Sequence, residues 1–86
     1  MTTETVKLQM PDLGLGDTGL TACTWYADEG DHVVEGDRLL EVLAGEVTID
    51  LPAPASGILV RQSVEVDDRI TTGQVLAIIT ASVEGE

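Results

Sequence analysis

The chain carries the same pattern twice, and this internal repeat restricts the folds open to it more than any other feature. The segment Gly30–Leu39 aligns with Asp67–Leu76, and the earlier segment Val6–Pro11 aligns with Val47–Pro52. Each half predicts a strand, a proline-containing turn, a strand, an acidic turn, a short strand, a glycine turn and a final strand. Two copies are too few for a solenoid, which needs about three. The repeat therefore predicts two interlocked halves that share one core.

Short apolar runs predict strands throughout both halves. Val6–Met10 alternates apolar and polar side chains, as a half-buried strand does. No stretch combines a helical period with caps at both ends, and β-branched residues favour pleated structure. The pattern therefore predicts an all-β domain built from two small sheets that face each other. The predicted strands are Val6–Met10, Leu20–Ala27, Leu39–Ala44, Val47–Leu51, Ile58–Val66 and Val75–Ala81, with two very short strands near Val33 and Ile70.

The length of 86 residues suffices for a single domain. We expect the ordered domain to cover residues 5–81, with residues 1–4 and 82–86 as frayed tails because they are polar or small. Cys23 has no second cysteine to pair with, and a buried, reduced thiol is the expected state. No segment resembles a signal peptide or a membrane span, which predicts a cytoplasmic protein and leaves an organelle matrix open.

The charge balance limits the partners that this chain can bind. Sixteen acidic residues stand against four basic ones, for a net charge of −12. Such a field repels the phosphates of nucleic acids and the headgroups of an anionic membrane. We therefore expect protein partners, no nucleic acid and no membrane, and a monomer.

Two motifs look chemical but lack the context that their chemistry requires. Gly14–Gly19 spells G-x-G-x-x-G, which binds a dinucleotide only where it opens a helix. Here the strand-like run Leu20–Trp25 follows, and Asp17 would repel a phosphate. His32 is the only histidine, so neither a zinc site nor a catalytic triad can be assembled around it. The sequence predicts no metal site and no enzyme.

Five segments, in order along the chain, resemble the lipoyl domains of 2-oxo acid dehydrogenase dihydrolipoamide acyltransferases, which are biotinyl/lipoyl carrier domains. The resemblance implies a flattened barrel of two four-stranded antiparallel sheets related by a quasi-twofold axis, in agreement with the repeat. It covers nearly the whole chain, at the family's spacing. The segments are Met10–Gly14, Trp25–Val33, Glu35–Val42, Leu51–Gly57 and Thr72–Ile79.

The resemblance also shows where this chain departs from the family. A lysine stands in that family at the tip of the hairpin between the fourth and fifth strands, after an aspartate or a methionine. Here Gly45 and Glu46 occupy these two positions. Attachment of lipoate or biotin needs an amine to form a stable amide, whereas a carboxylate would give a hydrolysable anhydride. Lys7 is the only lysine, and the resemblance places it away from the tip, so we predict that no lipoyl or biotinyl cofactor is attached.

The tip itself permits two interpretations. Gly45 would occupy the first central position of a type II′ turn, where φ is positive. The Gly45–Glu46 pair could form a tight hairpin without further function, or a tip that a partner recognises. In the second case Leu43 and Val47 flank the pair and could form one small apolar docking spot beside the acid. The predicted contact residues are Leu43, Ala44, Gly45, Glu46 and Val47, with Leu15 from the first loop. Leu15 stands where the family commonly has an acid.

Four functions remain open at this point. The leading hypothesis is a non-acylated adaptor, decoy or regulator in a 2-oxo acid dehydrogenase-type or other lipoate- or biotin-dependent system. The alternative is a true carrier domain of a dihydrolipoamide acyltransferase component or a biotin-dependent enzyme. A fragment of a membrane-fusion adaptor fits poorly, because only Ala44–Val47 separates the two halves. The fourth is an inert structural domain.

Overall fold

The computed structural model describes residues 2–14 and 19–83, and this part of the chain contains eight strands. They form two four-stranded antiparallel sheets, with strand orders β1-β8-β6-β3 and β5-β4-β2-β7. The predicted all-β class with two four-stranded antiparallel sheets is confirmed. The strands are β1 Thr2–Gln9, β2 Leu20–Trp25, β3 His32–Val33, β4 Arg38–Ala44, β5 Val47–Pro52, β6 Gly57–Gln62, β7 Arg69–Ile70 and β8 Val75–Val83.

The two sheets are related by a quasi-twofold axis. Exchanging β1 with β5, β8 with β4, β6 with β2 and β3 with β7 converts one strand order into the other. The hydrogen bonds outside the strands repeat in the same way. Gly30 donates its N–H to Leu59 O at 2.7 Å, and Asp67 donates to Ala22 O at 2.8 Å. The internal repeat in the sequence is therefore a structural repeat.

One part of the predicted repeat is out of register by two residues. Met10 exchanges two backbone hydrogen bonds with Gly73–Gln74, and Ala53 exchanges the same two with Gly36–Asp37. Met10 therefore corresponds to Ala53 and not to Leu51. The sequence comparison was wrong because it matched the proline after Met10 with the first of two prolines near the end of β5. The second proline, which follows Ala53, is the true equivalent.

The strand limits differ from the predictions at several ends. β6 ends at Gln62 because the chain then enters a turn, whereas the prediction extended this strand to Val66. β1 and β8 remain paired as far as Thr2 and Val83, so the strands extend into both predicted tails. Met1 and residues 84–86 lie outside the described part of the chain. Over residues 2–14 and 19–83 the chain forms no helix with the length and hydropathy of a membrane span.

The core lies between the two sheets and is almost entirely aliphatic. Trp25 packs against it and donates its indole N–H to Val64 O at 3.1 Å, which satisfies the only polar atom of this side chain. Cys23 is half-buried rather than buried, because it lies at an irregularity in β2 where the alternation of side chains is broken. The largest fully buried side chains are Met10, Leu39, Leu40, Val42, Leu59, Leu76 and Ile79.

Asp67 has a positive φ, and the equivalent residue in the other half of the domain is a glycine. Its φ is 78°, and the equivalent Gly30 has a φ of 97°. We expect Asp67→Gly to stabilise the domain by about 0.5 kcal/mol, because a side chain at positive φ is strained and aspartate tolerates it only in part. Urea unfolding of both proteins measures the change. The reverse substitution, Gly30→Asp, should destabilise, and a gain of stability there would contradict the argument.

Candidate functional site at the β4–β5 hairpin tip

The predicted acceptor position lies at the apex of the hairpin that joins β4 to β5. Ala44 and Val47 form the last strand pair, which leaves Gly45 and Glu46 as a two-residue turn. Gly45 has a φ of 64°, whereas Glu46 is not among the residues with positive φ. A type I′ turn needs positive φ at both positions, so the geometry agrees with the predicted type II′ turn. Glu46 is exposed at the most distal point of the hairpin.

The end of the first loop lies beside this tip. Gly45 donates its N–H to Gly19 O at 3.4 Å, and Leu20 pairs with Ala44 at the start of β2. Leu15, the loop residue predicted to contact a partner, lies outside the described residues. Gly19, where the first loop ends, thus lies beside the hairpin tip at one end of the domain.

Leu43 and Val47 do not form one apolar spot beside Glu46. Leu43 pairs with Thr48, whereas Val47 pairs with the buried Ala44. Directly opposed residues on antiparallel strands share a face, and successive residues alternate. Leu43 is 36% exposed on the outer face, and Val47 is 60% exposed at the open end of the inner face. A partner that contacts both residues must therefore bind around the tip rather than on one side of it.

A family model described as "Biotin-requiring enzyme", the biotin–lipoyl model, matches residues 6–79. This match includes every segment of the resemblance and the whole hairpin. The chain belongs to the biotin–lipoyl family. It spans only a small share of its curated relatives, so the activity of those larger proteins does not follow from the match.

Two relatives and one solved structure show what this chain is similar to. The acetyltransferase component of the acetoin cleaving system of Pseudomonas putida is 37% identical over 92% of this chain and 20% of its own length. The acetyltransferase component of the pyruvate dehydrogenase complex of Corynebacterium glutamicum is 36% identical over 85% of this chain and 11% of its own length. The lipoyl domain of the 2-oxoglutarate dehydrogenase complex of Azotobacter vinelandii has the same fold, with a TM-score of 0.71 at 18% identity over 94% of this chain and 99% of that domain.

The residues at the tip of this biotin–lipoyl domain do not fit an amide-linked prosthetic group. The apex presents a carboxylate, and the two neighbouring side chains at Ala44 and Val47 are apolar. Lys7 lies in β1 and pairs with Ile78 of β8, and this sheet does not contain the hairpin. The apex, where the resemblance places the attachment lysine, thus presents a carboxylate and no amine.

A second cluster on this biotin–lipoyl domain was not predicted from the sequence. The guanidinium carbon of Arg38 lies 4.6 Å from the centre of the Tyr26 ring, and Nη1 lies 3.7 Å from Asp50 Oδ2. Tyr26 donates its hydroxyl to Asp50 Oδ1 at 3.5 Å. The three residues come from three separate segments, and only strand register brings them together on the outer face of the β5-β4-β2-β7 sheet. No local motif could have revealed the cluster.

The ionisation of Tyr26 should report this cluster. Partial burial, and then the negative charges of Asp50 and Glu41, raise the pKa of the Tyr26 hydroxyl above its usual 10.0, although Arg38 opposes them. Because the pKa is higher in the folded state, the neutral Tyr26 hydroxyl contributes to the stability of the fold. This contribution is complete below about pH 10 and is lost as the pH rises through the folded-state pKa. Because this is the only tyrosine, tyrosinate absorbance measures it directly. We expect a midpoint above 10.0 in the folded protein.

The contribution of the carboxylate can be isolated with a matched pair of variants. Asp50→Asn removes one negative charge and leaves a neutral amide oxygen as the acceptor, so it should lower the pKa of Tyr26 towards its usual value. Glu35→Gln removes the same charge from an exposed turn and should leave the midpoint nearly unchanged. Equal shifts in the two variants would show that net charge, and not the contact, sets the pKa.

Proposed function

We propose that this biotin–lipoyl domain acts through protein contacts in a 2-oxo acid dehydrogenase-type system, or in another lipoate- or biotin-dependent system, and carries no prosthetic group. The observation that supports the proposal is Glu46 at the apex of the β4–β5 hairpin. The resemblance places the family's acceptor at this apex, and here the side chain ends in an acid.

The chemistry of attachment explains why this substitution matters. An amine attacks an activated acyl group and leaves an amide that resists hydrolysis, whereas a carboxylate leaves an anhydride that water cleaves. Glu46 also places a negative charge at the position where the family has a positively charged lysine before the cofactor is attached. A partner that recognises the domain by its fold can still bind, because the sheets and the two-residue turn are retained.

The relatives support the type of system in which the domain would act. Their names describe components of the acetoin cleaving system and of the pyruvate dehydrogenase complex. A domain with the same fold, but without a cofactor at its hairpin tip, would occupy the surface on which an active lipoyl domain docks. An adaptor or a decoy for subunits of such a complex is therefore the proposed role.

Binding to purified subunits of a 2-oxo acid dehydrogenase complex from the source organism tests this role. We expect one subunit to bind the immobilised domain, and Val47→Asp at the tip to weaken that binding. The matched control is Val34→Asp, which adds the same charge at a residue 49% exposed at the opposite end of β4. Failure of every subunit to bind would overturn the proposal, as would equal weakening by the two variants.

The second candidate is a carrier domain with an attached lipoyl group. It is favoured by the names of the relatives, which describe dihydrolipoyllysine-residue acyltransferases. It requires an acceptor other than Glu46, and Lys7 in β1 is the only lysine in the chain. A modified Lys7 would support this candidate against the adaptor.

A further inference from the structure

The outer face of the β1-β8-β6-β3 sheet has a charge opposite to that of the molecule. Lys7 and Arg61 both pair with Ile78, so two exposed cations flank one aliphatic side chain in a single row across three strands. The outward strand positions that the structure describes on this sheet contain no carboxylate. We call this surface the cationic face; its members are Thr3, Thr5, Lys7, His32, Ile58, Val60, Arg61, Ile78 and Thr80.

The cationic face also exposes aliphatic area. Ile58 is 39% exposed and Val60 is 45% exposed, and Ile78 between the two cations is half-buried. Isolated apolar side chains on a surface are ordinary, but these three lie on adjacent strands and form one patch. Such an apolar patch with a charged rim is typical of surfaces that bind a protein.

The quasi-twofold axis provides an internal comparison for this face. The row on the other sheet follows from the same strand pairs, since Glu41 pairs with both Asp50 and Thr24. The positions equivalent to Lys7, Ile78 and Arg61 thus hold Asp50, Glu41 and Thr24. The fold alone does not require cations at these positions, because the position equivalent to Lys7 holds an acid and the position equivalent to Arg61 holds a neutral threonine.

We propose that the cationic face binds an acidic segment of a partner protein. Carboxylates of that segment pair with Lys7 and Arg61, and an aliphatic side chain between them packs on Ile58, Val60 and Ile78. Complementary charge at short range favours such a partner, because a short segment brings only a few carboxylates near the domain and places them against the two cations. A second copy of this chain brings a net charge of −12 and is a poor occupant. The proposal does not depend on whether the hairpin tip carries a group.

A synthetic peptide of sequence Glu-Glu-Leu-Glu-Glu, capped at both ends, is the probe. It is titrated into the full, isotope-labelled chain at about 0.1 M salt, where a screening length of about 10 Å limits repulsion by acids elsewhere on the domain, and binding is followed by the amide resonances. We expect shifts concentrated in β1, β6 and β8, and weaker binding at about 1 M salt, where a screening length of about 3 Å also weakens the local ion pairs.

Two double variants separate local from overall charge. Lys7→Glu with Arg61→Glu reverses the cationic face and should weaken peptide binding about tenfold or more, since two exposed ion pairs are replaced by repulsion. Arg38→Glu with Arg69→Glu makes the same change on the other sheet, and each pair lowers the net charge from −12 by four units. The second pair should weaken binding much less.

Several results would overturn the proposal. These are shifts centred outside β1, β6 and β8, equal weakening by the two double variants, or no binding at about 0.1 M salt. Concentration-dependent shifts of the cationic face without peptide would assign the face to a second copy. Binding to vesicles of anionic lipid in place of the peptide would assign it to a membrane.

Discussion

The Glu46→Lys variant should become a substrate for lipoate–protein ligase, while the natural protein remains unmodified. The hairpin already places residue 46 at an exposed apex, with Gly45 at a φ of 64° and a two-residue turn between Ala44 and Val47. The substitution supplies the nucleophile that the family uses and leaves this geometry unchanged. Intact mass after incubation with ligase, ATP and lipoate measures the fraction modified, which should rise from none to most of the protein.

A lysine placed off the apex is the matched control. Thr48→Lys adds the same amine on β5, where residue 48 pairs with Leu43 two strand positions from the turn. It should remain unmodified, because the ligase must meet the amine at the apex. Modification of Thr48→Lys to the same extent would contradict the account. So would the absence of modification in Glu46→Lys after Gly45→Asp has restored the acid that precedes the lysine in lipoyl domains.

The Gly57→Ala variant should lose about 3 kcal/mol of stability or fail to fold. A Cβ atom at this position would overlap the backbone oxygen of Thr80 and would lie 2.9 Å from the Cα of Ala81. Both atoms belong to the β8 backbone, so the clash cannot be relieved by rotating a side chain. The start of β6 must therefore move away from β8, its neighbour in the sheet. Thermal unfolding should show a midpoint lower by about 12 °C or more.

Gly19→Ala is the control for this prediction. A Cβ atom at Gly19 meets nothing within 4 Å, and its φ is not positive. Its stability should change by no more than about 0.5 kcal/mol. A Gly57→Ala protein as stable as the Gly19→Ala protein would show that β6 and β8 do not approach as closely as described.

Much of the fold was predictable because it repeats within the chain. The pairing of Gly30–Leu39 with Asp67–Leu76 anticipated two related halves, and the hydrogen bonds of Gly30 and Asp67 confirm it. The limits of strands were less predictable. Val64 continues the apolar alternation of β6, but it lies in the turn that leads to Asp67, and its burial comes from contact with the core and not from a strand.

The site was predicted in part, and one error was avoidable. The positive φ of Gly45 follows from the two-residue hairpin, which the sequence indicated. The same turn pairs Val47 with Ala44 and so puts Val47 on the face opposite to Leu43. The expectation of one apolar docking spot therefore conflicted with the predicted turn. The Tyr26–Arg38–Asp50 cluster and the cationic face depend on register across several strands, which no local pattern contains.

The intact mass of the natural protein, purified from its own organism without added ligase, tests the central claim most directly. The account predicts the mass of the unmodified polypeptide, because the apex at Glu46 has no amine and Lys7 lies in the other sheet. A mass increased by one lipoyl or biotinyl group would contradict it.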